Sequence, residues 1–258
     1  MPVHPTAVVH PRAKIDPKAD VGPYCVIGNE VTIGAGTRLM AHIYIEGPTW
    51  IGDGNELYPY SSIGVASQDL KYEGERAETR IGNRNRIREF VTIHRGTRGG
   101  GALTSIADGT LIMAYAHVAH DCYVGSEAIL ANGVTLGGHV VIGEHAVVGA
   151  FSGVHQFCRV GRHAMVAGYS VVTRDVLPYS LTGVEREARL FGENKVGLER
   201  RGFPAETLRK LRKAFRLLKG RRLNTTQAIE RIEAEIEACP EIAEVVKFIQ
   251  ASERGVIK

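Results

Sequence analysis

The stretch VGSEAILANGVTLGGHVVIGEHAVVGA, residues 124–150, places an aliphatic residue at every sixth position: Val124, Leu130, Leu136, Ile142 and Val148. The same step runs back through Val118 and Ile112 to Ile106, and forward through Val154, Val160 and Val166 to Val172. An earlier register, offset by one, carries Val9, Ile15, Val21, Ile27, Ile33, Leu39, Ile45, Ile51, Leu57 and Ile63, then resumes at Ile81, Ile87 and Ile93. A period of six matches neither the ~3.6 of an amphipathic helix nor the ~2 of a flat strand. It fits a chain coiling as a triangular prism, one hexad to a face and three hexads to a turn. Each short strand then stacks on its equivalent one coil away, in a parallel ladder spaced by about 4.8 Å. The residue two before the aliphatic is often small (Ala7, Ala13, Ala19, Cys25, Thr37, Thr49, Ser61), and the residue after it is often glycine (Gly22, Gly28, Gly34, Gly52, Gly64). These small residues are expected to serve the corners, where the backbone turns tightly. The fold class is an all-β solenoid, a parallel β-helix of hexapeptide repeats over residues 1–186, whose coils touch only their neighbours.

Two stretches leave the step. Residues 65–80 (VASQDLKYEGERAETR) and 95–105 (RGTRGGGALTS) are polar or glycine-rich. They are expected to be loops projecting from a rigid scaffold, where function commonly resides. Beyond residue 186 the pattern becomes helical. Pro204 suits a first helical position, with a stripe of Leu208, Leu211, Phe215 and Leu218. A second helix is expected after a cap near Thr225, with Ile229, Ile232 and Ile236. A third begins near Pro240, with Ile242, Val245, Val246 and Ile249. Residues 187–258 thus form a C-terminal helical domain.

No run of about 18 apolar residues exists, so no membrane-spanning helix is expected. The N-terminus MPVHPTAVVHPRAKID lacks the basic start and apolar block of a secretory leader. Cys25, Cys122, Cys158 and Cys239 show no CxxC spacing, so reduced thiols in a cytoplasmic protein are expected. Basic residues crowd between Arg186 and Arg222, which implies an anionic partner. The absence of a nucleic-acid motif and the scarcity of aromatics there argue against nucleic acid.

The hexads starting at Val118, Val154 and Leu136 share one prism face in successive coils. They bring His117, His120, His139 and His155 onto one stripe, with Gly138 and Gln156 in the column of His120. Two chemistries suit such a stripe. Three histidines meeting across a subunit boundary can hold zinc. Alternatively, one histidine is a general base, and Gly138 offers an unobstructed backbone N–H to an oxyanion. The zinc alternative leaves Gly138, the loops and the basic tract without a role; acyl transfer uses them all.

The segments QDLKYEGE (68–75), IREFVTIHRGT (87–97), LIMAYAHVAHDC (111–122), GVHQFC (153–158) and RRGF (200–203) strongly resemble the UDP-N-acetylglucosamine acyltransferase family of lipid A biosynthesis. The resemblance covers essentially the whole chain. It implies a left-handed β-helix, a homotrimer with sites between neighbouring subunits, and transfer of a 3-hydroxyacyl group from acyl carrier protein to the 3-hydroxyl of UDP-N-acetylglucosamine. It implies no cofactor and no resident metal, the acyl group arriving on the carrier's phosphopantetheine. Carried over residue by residue, it makes His120 the base, Gly138 the oxyanion donor and Asp121 a residue holding or polarising the histidine. Gln68, Asp69 and Lys71 in the first excursion, with His117, His139, His155 and Gln156, take substrate-binding positions. Asn194, Arg200 and Arg201 fall on the nucleotide side, and Gly168 at the far end of the acyl groove, as a chain-length ruler. The chain departs from the family's usual pattern after Gly183, where it reads VEREARLFG, and at Val196, where an acidic residue can occur.

Overall fold

A computed structural model describes residues 3–183, 188–220 and 223–258. The chain coils as a left-handed parallel β-helix with strands of two to four residues on three faces. Among the described residues, the first face runs from Val8–Val9 to Val171–Val172 in nine strands. The second runs from Lys14–Ile15 to Arg159–Val160 in eight, and the third begins at Asp20–Val21. Equivalent residues pair eighteen apart, as in Val8 with Val26 and Val118 with Leu136, so one coil is three hexads. Short turns join the strands directly. No crossover helix has to pack on the sheet, so the steric preference for right-handed βαβ crossovers does not apply.

Burial follows the six-residue step. From Val21 to Val172 the aliphatic of every hexad is at most 3% exposed and fills the prism axis. The small residues two before it, among them Ala19, Cys25, Thr37 and Ser61, are buried beside it. Apart from Gly64, which has a left-handed φ of 70°, the glycines after it that the sequence singled out do not supply the turn. A Cβ on Gly22 would lie 1.4 Å from the Met40 carbonyl oxygen, and one on Gly125 2.7 Å from the Glu144 nitrogen. They are glycine because successive coils press together there. The left-handed backbone of the corners falls two residues later, mostly on larger side chains: Tyr24, His42, Tyr60, Phe90, Tyr115, Asp121 and His139 have φ of 54–65°. That conformation costs an L-residue about 1–2 kcal/mol. Stacking offsets it where the rings form a column, as in Tyr24–His42–Tyr60–Phe90–Tyr115, with centroids 4.9–5.1 Å apart.

Both excursions leave the same corner, between the first and second faces, in adjacent coils. They are shorter than the loss of the six-residue step suggests. The strands Glu78–Ile81 and Leu103–Ile106 close them and pair with each other, with Thr79 and Thr104 buried at the small position of the hexad. The sheet also runs past residue 186: Leu190–Glu193 pairs antiparallel with Ser180–Thr182 on the third face. Helices follow as α1 (Lys195–Arg200), α2 (Ala205–Lys219), α3 (Thr225–Glu235) and α4 (Pro240–Gln250). Pro204 is the N-cap of α2, one position before the expected first turn, and Asn224 rather than Thr225 caps α3, through a capping box with Gln227. Ile236 is the C-cap of α3, and the stripes of α2 and α4 are buried as expected. No helix among the described residues is long and apolar enough to cross a membrane.

Candidate active site

The corner that releases both excursions also carries the histidines. In the two coils beyond the loops it presents His120 and then His139. Each lies just past a core aliphatic, Val118 or Leu136, so the rigid ladder fixes its height. The first excursion folds back over this corner, enclosing a cavity of about 530 Å³ lined by Gln68, Asp69, Leu70, Lys71, His94, His117, Ala119, His120, His139, Gln156 and Phe157. A neighbouring cavity of about 320 Å³ shares Asp69, Lys71, His139 and Phe157 and is edged by Glu73, Glu75, Thr97, Arg98 and Gly99.

His120 is 13% exposed at its side chain, and its Nδ1 lies 2.8 Å from Oδ2 of Asp121, whose side chain is fully enclosed. Asp121 is therefore no surface residue. Its oxygens also accept hydrogen bonds from the Thr97 N–H (2.8 Å) and hydroxyl (2.6 Å), so His120 is the donor at Nδ1. That leaves Nε2 as the acceptor facing the cavity, 4.0 Å from Asp69 Oδ2. Gly138 touches the same imidazole: a Cβ there would lie 2.4 Å from His120 Cε1. The Gly138 carbonyl accepts from the Phe157 N–H, while its own N–H has no partner among the described residues.

Charge is disfavoured on three further imidazoles of the cavity, His94, His117 and His139. Burial pushes His94 down to about 4, with His117 and His120 adding repulsion. Burial also lowers His117, with His120 again opposing its charge. His139 is lowered by burial against the opposing pull of Asp121. His117 Nδ1 sits 2.7 Å from the Thr92 hydroxyl, and His139 stacks on Phe157 with centroids 4.4 Å apart. Such rings offer hydrogen bonds and a flat surface without adding positive charge.

Donor atoms of His120, Asp121 and His139 all lie within 4.8 Å of one another, a spacing that could hold a metal ion. Asp121 Oδ2 already accepts from Thr97 and His120, so an ion bound through that oxygen would compete with both.

The sequence-predicted residues divide into two sets. Gln68, Asp69, Lys71, His117, His120, His139 and Gln156 line one cavity, with Asp121 and Gly138 against His120. His155 does not line it; its Nδ1 accepts from Arg254 at 3.1 Å, at the exposed end of the stripe. Asn194 caps α1 and donates to the His163 carbonyl, which puts it with Arg200 and Arg201 by the corner between the second and third faces. Gly168 lies on the remaining corner, between the third and first faces. The expected residues therefore occupy three different corners of one prism.

His94 and Phe157 escaped the sequence argument. Ile93 pairs with Val118 across a coil lengthened by the second excursion, so His94 lies one coil before His120 although the six-residue step is broken between them. Pairing the two registers across that break would have found it. Phe157 holds the corner position of His139 one coil further on and was legible as such.

The basic tract is partly self-neutralised. Lys210 pairs with Glu206 and Glu237, Arg212 with Glu193 and Lys213 with Glu235, and Lys219 donates to the Phe191 carbonyl. Arg200, Arg201, Arg209 and Arg216 are exposed and carry no ion pair among the described residues. Arg186, Arg221 and Arg222, and residues 184–187 of the departure after Gly183, lie outside the described residues.

Comparison with known proteins matches the same regions. A family model described as bacterial transferase hexapeptide (six repeats) matches residues 104–138 and 139–174, and one described as Udp N-acetylglucosamine O-acyltransferase, domain 2, matches 175–257. The acyl-[acyl-carrier-protein]–UDP-N-acetylglucosamine O-acyltransferase of Thermodesulfovibrio yellowstonii is 45% identical over 256 residues, 99% of either chain. LpxA from Acinetobacter baumannii superposes with a TM-score of 0.96 at 42% identity, covering 100% of both chains. The UDP-N-acetylglucosamine acyltransferase from Bacteroides fragilis does so with 0.97 at 38% identity, covering 99% of this chain and 100% of its own. With full-length identity at this level and the histidine corner in place, the chain belongs to the UDP-N-acetylglucosamine O-acyltransferase family.

Proposed function

We propose that the protein transfers a 3-hydroxyacyl group from acyl carrier protein to the 3-hydroxyl of UDP-N-acetylglucosamine, the first step of lipid A biosynthesis. The observation that carries the mechanism is the directed His120–Asp121 pair, with Nδ1 engaged at 2.8 Å and Nε2 open to the cavity. Nε2 takes the proton of the sugar hydroxyl as its oxygen attacks the thioester carbon. The carbonyl oxygen becomes an oxyanion, which the unpaired Gly138 N–H stabilises. The intermediate then collapses to the ester and expels the carrier's thiolate, which takes the proton back from the imidazolium. Asp69, Lys71, His117, His139 and Gln156 hold the sugar and its phosphates, and Gln68 borders them. The reaction moves only a proton and an acyl group, so the proposal requires no cofactor and no metal.

The working unit in this reading is a cytoplasmic homotrimer. Two observations support it. Asn194, Arg200, Arg201 and Gly168 lie on corners away from the histidine corner, so if they serve the same site, as the resemblance implies, a neighbouring subunit would bring them to it. The corner between the third and first faces also exposes a stacked column with Tyr24, Tyr60, Phe90 and Tyr115, an apolar stripe suited to a subunit contact. His155 belongs to the same proposed substrate surface from the far end of the stripe. Turnover of UDP-N-acetylglucosamine with a panel of carrier thioesters, read by mass spectrometry, tests the function. The expected product is the sugar nucleotide carrying one ester-linked hydroxyacyl group. Amide-linked product from an amino-substituted sugar, with none from UDP-N-acetylglucosamine, would overturn it.

A further inference from the structure

The glycine-rich second excursion has no part in the mechanism above, yet its geometry converges on one carboxylate. Thr97 donates to Asp121 twice, from its N–H to Oδ1 and from its hydroxyl to Oδ2. A Cβ on Gly100 would lie 2.0 Å from Asp121 Cγ, and one on Gly96 2.8 Å from Oδ1. At Gly100 the carboxylate itself occupies the space of a Cβ; at Gly96 the loop's own backbone is nearer still, with the Leu103 nitrogen at 2.1 Å. The loop also closes on itself: the N–H groups of Gly100 and Ala102 both donate to the Thr97 carbonyl. From the strand that follows, the Thr104 hydroxyl accepts the Asp121 N–H at 2.7 Å.

We propose that the segment 96–101 is a clamp that fixes the Asp121 carboxylate on Nδ1 of His120, with Thr97 as its positioning residue. The clamp rests on the assignment of His120 as the base. The competing partner is visible in the site: His139 Nε2 lies 3.9 Å from the same Oδ2. Without the Thr97 hydroxyl, that oxygen is free to divide its hydrogen bonding between the two imidazoles. His120 then loses the fixed tautomer that leaves Nε2 as the acceptor. The hydroxyl itself touches neither His120 nor His139, so its effect passes through Asp121.

Thr97→Val removes the hydroxyl and keeps the branch and the backbone donor. A hydrogen bond to a carboxylate is worth enough that kcat should fall about ten- to a hundredfold. The KM for each substrate should change by less than about threefold, because the group binds neither. Thr97→Ser should restore kcat to within about threefold of wild type. In an Asp121→Asn background, Thr97→Val should cost nothing further. A wild-type kcat in Thr97→Val, or the full loss persisting beside Asp121→Asn, would overturn the clamp. A second readout needs no turnover and no variant: ¹⁵N NMR of histidine-labelled protein at about pH 8, above the ordinary imidazole range of about 6.5. The expected His120 signal is the Nδ1–H tautomer; the Nε2–H tautomer would overturn the clamp. The expected tautomer in an enzyme that fails to acylate UDP-N-acetylglucosamine would count against the function and leave the clamp standing.

Discussion

Adjacent side chains in an extended backbone point to opposite sides, so the sequence His120–Asp121 does not by itself make a pair. The left-handed φ of 58° at Asp121 turns its carboxylate back to Nδ1 of its neighbour. His120→Ala is therefore expected to lower kcat by 10²–10⁴-fold, the usual contribution of a positioned base, with the fold retained. Steady-state kinetics beside a circular-dichroism melt measure it; more than about a tenth of wild-type turnover would remove His120 from the role. Gly138→Ala should act on the same ring from the other side, because the new Cβ meets His120 Cε1 at 2.4 Å. A displacement approaching ~1 Å costs up to about a hundredfold in rate, so a loss of at least about tenfold is expected. His94 provides a separate test through stability. Unfolded, its imidazole titrates near 6.5; folded, burial holds it at about 4. Between those values the unfolded chain binds the extra proton. The stabilisation is complete above about pH 7 and is lost as pH falls toward 4, by about 3 kcal/mol at 1.36 kcal/mol per unit. His163, also lowered to about 4 by burial, adds to the same slope. Replacing His94 with Gln should flatten the fall of the urea midpoint between pH 7 and pH 4 by its share. A slope identical to wild type would show that the His94 imidazole is not buried neutral.

At the scale of elements, the aliphatic step alone foretold the coils, because one buried residue per hexad fixes both the face and the axial height of each strand. The register break at residues 95–105 hid His94, since a seven-residue lengthening of one coil looks in sequence like a shift of frame. Glycine was read for the wrong reason. After the core aliphatic its positions mostly report pressure between coils; the turning conformation sits on Gly36, Gly54, Gly109 and Gly133 but more often on larger residues such as Tyr, His and Phe, whose stacking is invisible in a single sequence. The local charge of the tract also overstated what faces solvent, because two of the Glu partners of α2, Glu235 and Glu237, lie beyond the tract. If the proposed carrier docks on this tract, the exposed arginines left to receive it are Arg200, Arg201, Arg209 and Arg216. Charge reversal at Arg209 and Arg216 together should raise the KM for acyl carrier protein with little change in kcat, and rising salt should do the same to wild type. Lys213→Glu supplies the comparison, since Lys213 already pairs with Glu235. A KM equally insensitive in all three proteins would mean that the tract is only a solvated surface.

For the whole molecule, the proposed acyl transfer ties the length of the transferred chain to the arrangement of corners. His120 and Gly168 are separated by eight hexads, or two and two-thirds coils, roughly 13 Å along the prism axis at about 4.8 Å per coil. They also stand on different corners, so a groove joining them has to run along the seam between two subunits of the proposed trimer. Gly168 is suited to end such a groove. It is not in the left-handed conformation, and among the described residues a Cβ there would meet only Ala150, at 3.2 Å from its oxygen and 3.6 Å from its nitrogen. A larger side chain can therefore be introduced with a small local adjustment, unlike at Gly149, where a Cβ would lie 2.5 Å from the Gly168 nitrogen. The neighbouring Tyr169 is 73% exposed in the single chain, and Gly168 itself is partly exposed. With glycine at the end of the groove, the wild-type enzyme is expected to prefer longer hydroxyacyl chains. Gly168→Met would fill the space of about three to four methylenes, each worth roughly 0.8 kcal/mol when buried. The longest donors should lose two or more orders of magnitude in kcat/KM, while donors shorter by about four carbons keep theirs, meeting the methionine as their floor. Competition between long and short carrier thioesters on both enzymes measures the shift directly, since the ratio of products is the ratio of kcat/KM. An unchanged chain preference in a correctly assembled Gly168→Met trimer would show that the groove ends elsewhere.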